Sequence, residues 1–353
     1  HYDYLIAGQG IAGTCLAWHL IEAGKKVLLV SDSTRPSASL VAAGIINPLT
    51  GRKLVKTWLA DTLFPYAEKF YTRLGHTLNT KLLYPFPIYR PYRSEEEKKN
   101  YLTYASEPEV AKYIKQDVDN QALINGLNHP YGGLEVKGSG WVDLTALIQK
   151  SRSVFISNNQ FVESAFDANE LIIKDTFIEW RQYRAGKVLF CQGVDARENS
   201  LFDWLPFNPV KGQILDVTFE QYSAEQIVNQ GVFILPRQEQ GLYRVGATYS
   251  WHDLDWEISE DGRNYLEAKL RPLIRGGYTI QGQRAGLRPS SKDRRPLIGL
   301  HPRHKSVGVF NGLGTKGVSL APYFANELVE YLEKGKELNP LVNIDRCFSL
   351  YYH

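Results

Sequence analysis

The sequence predicts an α/β fold, α+β overall: a Rossmann-like domain joined to a second domain built on an antiparallel sheet. Three observations carry that reading. The chain opens on a strand that breaks into Gly8-Gln9-Gly10-Ile11-Ala12-Gly13 and continues as an apolar helix. A second strand-to-helix junction, Asn311 to Gly317, lies near the carboxyl end, and between residues 213 and 249 the pattern changes to short strands divided by turn residues.

In the first junction the strand is Tyr2, Tyr4, Leu5, Ile6 and Ala7. Gly8 permits the tight turn out of it, Gly10 lets a pyrophosphate approach the backbone, and Gly13 lets the helix pack closely on the sheet. The helix reads Ile11, Cys15, Leu16, Trp18, His19, Ile21, ends at Gly24 and leads into a second strand, Lys26 to Val30. Its amino terminus would face phosphates with N–H groups and the positive end of the helix dipole. The group that holds the ribose hydroxyls belongs at the end of that second strand, where Ser31 and Asp32 stand side by side. Either could hydrogen-bond a ribose, and a shift of one residue along the strand turns the side chain to the opposite face.

Composition bounds the rest. A length of 353 residues fits two domains or one large one, and 43% hydrophobic with 22% charged residues is that of an ordinary globular protein. A net charge of +3 makes no case for a nucleic-acid or membrane partner. No stretch approaches the ~18 uninterrupted apolar residues of a membrane span, and no charged leader precedes the first strand, so a cytoplasmic protein is expected. Cys15, Cys191 and Cys347 are far apart and form no paired ligand motif. They read as reduced, buried thiols, and no zinc or other metal is expected.

Along the chain, Ser37 to Gly44 is a loop of small residues, as suited to a flat ligand lying on backbone as to an ordinary surface loop. Leu54 to Leu74 has helical spacing with aromatic weight, and the charged run Ser94 to Asn100 reads as a solvated helix face. Gly138-Ser139-Gly140 precedes Trp141 and a helix-like Leu144 to Lys150; an alternating segment, Leu171 to Trp180, precedes an apolar strand, Lys187 to Cys191. That strand ends in Gln192 and Gly193, another turn glycine suited to a nucleotide fold. Gly212 to Phe219, Gly231 to Leu235 and Tyr243 to Thr248 read as antiparallel strands, and Val307 to Phe310 leads through the second junction into a helix, Val318 to Leu332.

Two such junctions at opposite ends of one chain point to a ligand long enough to touch both. A nicotinamide cofactor needs only the first. FAD fits both, with its pyrophosphate on the first helix and its ring on the last. A helix amino terminus at Thr315 to Val318, helped by Lys316, would stabilise negative charge at the flavin N1 and C2 oxygen as the ring is reduced.

The amino-terminal GxGxxG, the loop Ala42-Ala43-Gly44, Val210-Lys211-Gly212-Gln213, Gly286-Leu287-Arg288-Pro289 with Asp293, Pro296, Ile298 and Gly299, and Gly317 to Pro322 span nearly the whole chain. Together they resemble the flavin-dependent D-amino acid oxidase superfamily, most closely its glycine oxidase and sarcosine oxidase branch. The resemblance implies a Rossmann-like FAD-binding domain from residues 1–78, 136–208 and 284–353, and a substrate domain from 79–135 and 209–283. Carried over by position, Gly8, Gly10, Ile11, Ala12 and Gly13 would hold the pyrophosphate, and Ser31 and Asp32 would stand at the adenosine ribose. Ala38, Ser39, Ala43, Gly44 and Ile45 would line the flavin, with Gly193 also at the cofactor. Val162 would offer backbone to the adenine. Leu313, Gly314, Thr315, Lys316, Gly317 and Val318 would surround the pyrimidine edge of the ring.

Arg288 matches the arginine that pairs with the substrate carboxylate, a sound role for a planar two-pronged donor. Phe233, Tyr249 and Asn47 would complete the substrate side. Phe233 stands where the branch has a carboxylate-binding Tyr, Thr315 where it has a second arginine, and Tyr249 would overlook the substrate. Those departures leave a secondary amine or a larger amino-acid-bearing substrate open. No cysteine stands beside Arg288 and Pro289, where sarcosine oxidase-like members attach flavin, so FAD is expected to bind noncovalently.

The implied reaction oxidises a C–N bond of an amine or amino-acid-like small molecule. Hydride passes from the amine-bearing carbon to flavin N5, the imine hydrolyses, and oxygen or another acceptor reoxidises the flavin. No histidine is needed as an acid or base. Two alternatives stand beside it: oxidation of an aminomethyl group on a modified tRNA base, and a flavoprotein that binds a ligand without amine turnover.

Overall fold

The computed structural model describes residues 1–115, 124–239 and 241–352. Part of the 79–135 stretch therefore lies outside the described residues.

The first sheet grows from the buried strand Tyr2–Ala7. It pairs in parallel with Val27–Ser31 on one side and Tyr183–Phe190 on the other, and Phe161–Glu163 adds in parallel beyond Val27–Ser31. The far edge of Tyr183–Phe190 is shared. Its upper residues pair in parallel with Val307–Asn311, while its first residues pair antiparallel with Ile178–Trp180. The alternating segment Leu171 to Trp180 is thus two short strands, Leu171–Ile173 and Ile178–Trp180, folded back on each other. Both faces are covered by apolar clusters, one led by Ile6, Leu16 and Phe324 and the other by Leu5, Val188 and Phe190. Burial on both faces explains why Tyr4 to Ala7 and Val27 to Val30 read as continuous apolar runs rather than alternation.

Helix Ile11–Glu22 is buried from Ile11 to Leu20. It packs on the long helices Ala60–Thr77 and Gly317–Lys334 in a common core. Pro322 lies inside the last of these and cannot donate to the carbonyl four residues back. The Tyr71 hydroxyl donates to that Val318 carbonyl instead, at 2.7 Å.

The second sheet runs Tyr278–Arg288, Val210–Phe219, Leu242–Gly246, Val232–Pro236, Ile227–Gln230, Ile88–Pro91, Gly133–Val136 and Ile114–Lys115. It is antiparallel except where Ile227–Gln230 meets Ile88–Pro91 in parallel. Two-residue periodicity divides its faces. Along Val210–Phe219, Leu215 and Val217 enter a core with Val245, Ile234 and Leu266, while Gly212 and Ile214 face the opposite way into a cleft. The strand Tyr278–Arg288 pairs with Val210–Phe219 from Tyr278 through Arg288, with one register shift between Asp216 and Val217. A division of the chain at 283/284 therefore falls inside one strand. Arg288 belongs to the second sheet by its backbone pairing with Val210.

Candidate functional site

A cleft of about 490 Å³ is lined by the ends of both sheets and both glycine-rich junctions. At the first junction the three glycines do different work. Gly8 has φ +100°, and a Cβ there would meet the Cys191 carbonyl oxygen at 2.6 Å. A Cβ on Gly13 would lie 1.9 Å from the Gly8 carbonyl oxygen. Both are glycine because the protein's own backbone leaves no room. Gly10 is different: it is extended, with φ −80° and ψ −166°, and a Cβ there would meet only the Ser39 hydroxyl, at 3.3 Å. Gly10 lines the cleft, so the space it leaves belongs to whatever enters.

The helix amino terminus opens on that space with no capping side chain from Gly10. The Ile11 N–H donates to Ser39 Oγ at 3.0 Å and the Gln9 N–H to Ser31 Oγ at 3.3 Å. Asp32 also lines the cleft, but its carboxylate accepts from the Thr34 N–H and hydroxyl, at 2.9 and 2.6 Å. Those bonds, the hydroxyl first, hold its carboxyl below the usual range. Arg152 lines this end, its Nε donating to the Gln9 side chain at 2.7 Å. Nearby Arg35 pairs with Asp195 at 3.1 Å.

At the second junction, buried Asn311 donates to the Gly193 carbonyl at 2.8 Å and accepts from the Gly312 N–H at 2.8 Å. This ties the carboxyl-terminal turn to the end of strand Tyr183–Phe190. Gly312 and Gly314 carry φ +71° and +54°. Lys316 then stands at the start of helix Gly317–Lys334, its Nζ donating to Thr57 Oγ1 at 3.2 Å. Burial first, then the nearby Arg295 charge, lowers its ammonium pKa. An anion at this end would offset both effects.

On the second sheet, Arg288 lies across Gly212, where a Cβ would meet its guanidinium at 2.1 Å. Its hydrogen bonds are long ones to backbone, 3.4 Å to the Lys211 and Thr248 carbonyls. Among the described residues no carboxylate pairs with it, and burial lowers its pKa. A guanidinium desolvated without an anion is held at a cost, which an entering carboxylate would remove. Phe233 lies opposite, packed where Gly246 has no side chain: a Cβ there would meet its ring at 2.7 Å. Asn47 lines the same cleft, its Oδ1 accepting from the Leu49 N–H at 3.0 Å. Tyr249 stands at the mouth, 46% exposed.

Of the positions singled out in the sequence, Gly8, Gly10, Ile11, Ala12, Ser31, Asp32, Ala38, Ser39, Ala43, Gly44, Ile45 and Gly193 all face this one cleft. So do Leu313 to Val318 and Arg288, Phe233, Tyr249 and Asn47. Two do not. Gly13 turns toward the Gly8 carbonyl, and Val162 sits on the outer strand paired with Val30, packed in the core on one face of the first sheet. Ala165 and Phe166, just beyond that strand, line the cleft instead. Arg152, Thr248 and Trp256 also face it and carry no local motif. They reach it only through tertiary packing, which no spacing in the sequence announces.

His19 and His301 are buried away from the cleft and pushed down to about 4, burial being the first cause. Cys191 reaches the cleft beside Gly13 rather than beside Arg288, its thiol pushed up by burial. Among the described residues, no three His, Cys, Asp or Glu stand close enough to hold a metal, and no helix is long and apolar enough to cross a membrane.

A cleft with a helix amino terminus and an open glycine position at one end and a second helix start at the other suits a long anionic cofactor. Residues 3–331 match the family model described as DAO, FAD dependent oxidoreductase. The chain belongs to that family. It is similar to the glycine oxidase of Bacillus subtilis, 23% identical over 371 residues that cover 96% of this chain and 95% of that one. It is also similar to the tRNA 5-methylaminomethyl-2-thiouridine biosynthesis bifunctional protein MnmC of Shewanella amazonensis, 24% identical over 386 residues. That match covers 94% of this chain and 56% of the relative, so the chain spans about half the length of the bifunctional proteins it matches. The crystal structure of glycine oxidase from Geobacillus kaustophilus shares the fold at a TM-score of 0.77 and 20% identity, covering 100% of this chain and 99% of that one. The residues here suit FAD: the volume kept open by Gly10 is where a pyrophosphate would bring its charge to the helix amino terminus.

Proposed function

We propose that this chain oxidises the C–N bond of a small amine that carries a carboxylate, using FAD held noncovalently along the cleft. Gly10, Ile11 and Ala12 would hold the pyrophosphate, Ser31 or Asp32 the ribose, and Ala43, Gly44 and the Leu313–Val318 turn the ring. When bound, FAD would supply the hydride acceptor. The chain's own groups would do the rest. Arg288 would fix the carboxylate, Phe233 and Ile214 would exclude water, and Lys316 with the Gly317–Lys334 helix start would balance charge at the far edge. No side chain is needed to take a proton if the amine binds neutral.

The single observation that carries this reading is Arg288, desolvated in the cleft, with hydrogen bonds to backbone carbonyls and, among the described residues, no carboxylate beside it. Replacing it tests the reading. Arg288→Lys keeps the charge but loses the fork, so affinity for acetate, read by the flavin spectrum, is expected to fall about tenfold to a hundredfold. Flavin content should stay at the wild-type level. Equal acetate affinity in the two proteins would make Arg288 a structural residue and leave the carboxylate without an anchor.

A second reading is favoured by the similarity to the tRNA-modifying relatives: the amine would be an aminomethyl group on a tRNA base. Flavin bleaching by an aminomethylated uridine nucleoside, and not by glycine or N-methylglycine, would select it.

A further inference from the structure

The substrate end of the cleft is bordered by the segment from Tyr249 to Ile258, which joins strand Leu242–Gly246 to helix Glu260–Leu270. Two large aromatic side chains stand in solvent there, Tyr249 at 46% and Trp251 at 49% exposure. Their rings meet edge to face, 4.9 Å apart at 72°. The Arg288 guanidinium lies 5.3 Å from the centre of the Tyr249 ring, and Trp256 lines the same cleft.

The segment is fastened from beneath. Lys211 and Ser250 exchange backbone hydrogen bonds of 2.8 and 3.0 Å, and the buried Lys211 ammonium pairs with Asp255. At the other end the Ser259 N–H donates to Gln213 Oε1 at 2.9 Å, while Gln213 Nε2 donates to Ser259 Oγ at 2.7 Å. Two rings are therefore pinned in water beside a carboxylate-binding group instead of being folded into a core. Exposed aromatic area is unfavourable, and a flat partner laid on it recovers that loss with directional ring–ring attraction.

We propose that Tyr249, buttressed edge-on by Trp251 and accompanied in the cleft by Trp256, presents a stacking face, the platform, that makes the site prefer substrates carrying a flat, unsaturated ring. The proposal rests on the reading that Arg288 takes the carboxylate, because that contact sets where the rest of the substrate lies. Asn229, which also lines the cleft, offers a polar group to the edge of such a ring.

The test compares phenoxyacetate with methoxyacetate, which share a carboxylate and an ether and differ in the ring. Neither carries an amine, so binding is read without turnover, by perturbation of the flavin spectrum in the holoenzyme. Wild type is expected to bind phenoxyacetate about tenfold more tightly. In Trp251→Ala and in Tyr249→Ala that ratio should fall to about twofold or less. Both positions are exposed, and retained flavin content checks that the variants fold. A ratio near one in wild type, or a ratio unchanged in both variants, overturns the platform. Failure of the underlying reading shows separately, as methoxyacetate affinity unchanged by Arg288→Lys. Competition by a single-stranded uridine oligomer assigns the ring to a nucleic-acid base, and its absence assigns it to a free small molecule; the platform stands in either case.

Discussion

Glycine is required at the first junction for two unlike reasons, and single substitutions separate them. A methyl group at Gly13 would drive into the Gly8 carbonyl. Gly13→Ala is therefore expected to destabilise the fold by ~1–3 kcal/mol, the range for overpacking a rigid contact, measured as a lowered denaturant midpoint. Gly10→Val should leave a folded chain that releases no FAD on acid denaturation, because its side chain occupies cleft rather than core. Full flavin content in that variant would remove the pyrophosphate from Gly10. The separate reasons for Gly10 and Gly13 were legible in the motif, whereas the atoms that enforce them, the Gly8 carbonyl beside Gly13 and the Ser39 hydroxyl beside Gly10, come from the fold.

Among the elements, the last helix begins at the cleft and depends on a contact from another helix. Pro322 removes the bond its first turn would make, and Tyr71 replaces it at the Val318 carbonyl. Tyr71→Phe leaves that carbonyl unpaired in a buried setting, at an expected loss of ~1–3 kcal/mol in thermal or denaturant unfolding. Unchanged stability would mean that the carbonyl finds water or another donor. The strands at both junctions and the apolar helices were legible because periodicity and glycine punctuation are local signals. The hairpin Leu171–Trp180 was less so, since its turn, closed by the Lys174 N–H donating to the Phe177 carbonyl, holds no glycine or proline to announce it. The continuity of Tyr278–Arg288 was not legible either. Its partner strand lies about seventy residues earlier, and nothing within the segment reports that pairing.

For the whole molecule, function lies where the two sheets meet. The first supplies helix starts and turns that suit a long anionic cofactor; the second supplies a cation and apolar walls that suit a carboxylate with an organic tail. Most of the cleft lining was readable residue by residue, because it is made of backbone-exposing glycines and small residues that leave a motif. Arg152 at the cofactor end and Trp256 near the mouth were not, because they owe their positions to packing and carry no spacing of their own. The central claim is that this cleft brings an amine-bearing carbon to FAD. It is tested most directly by mixing the purified holoenzyme under nitrogen with glycine, N-methylglycine, N-benzylglycine and an aminomethylated nucleoside while following the flavin absorbance. The account predicts that at least one amine bleaches the flavin, with loss of bleaching by carboxylate-bearing amines in Arg288→Lys. A flavin that dithionite reduces and none of these amines does would contradict it.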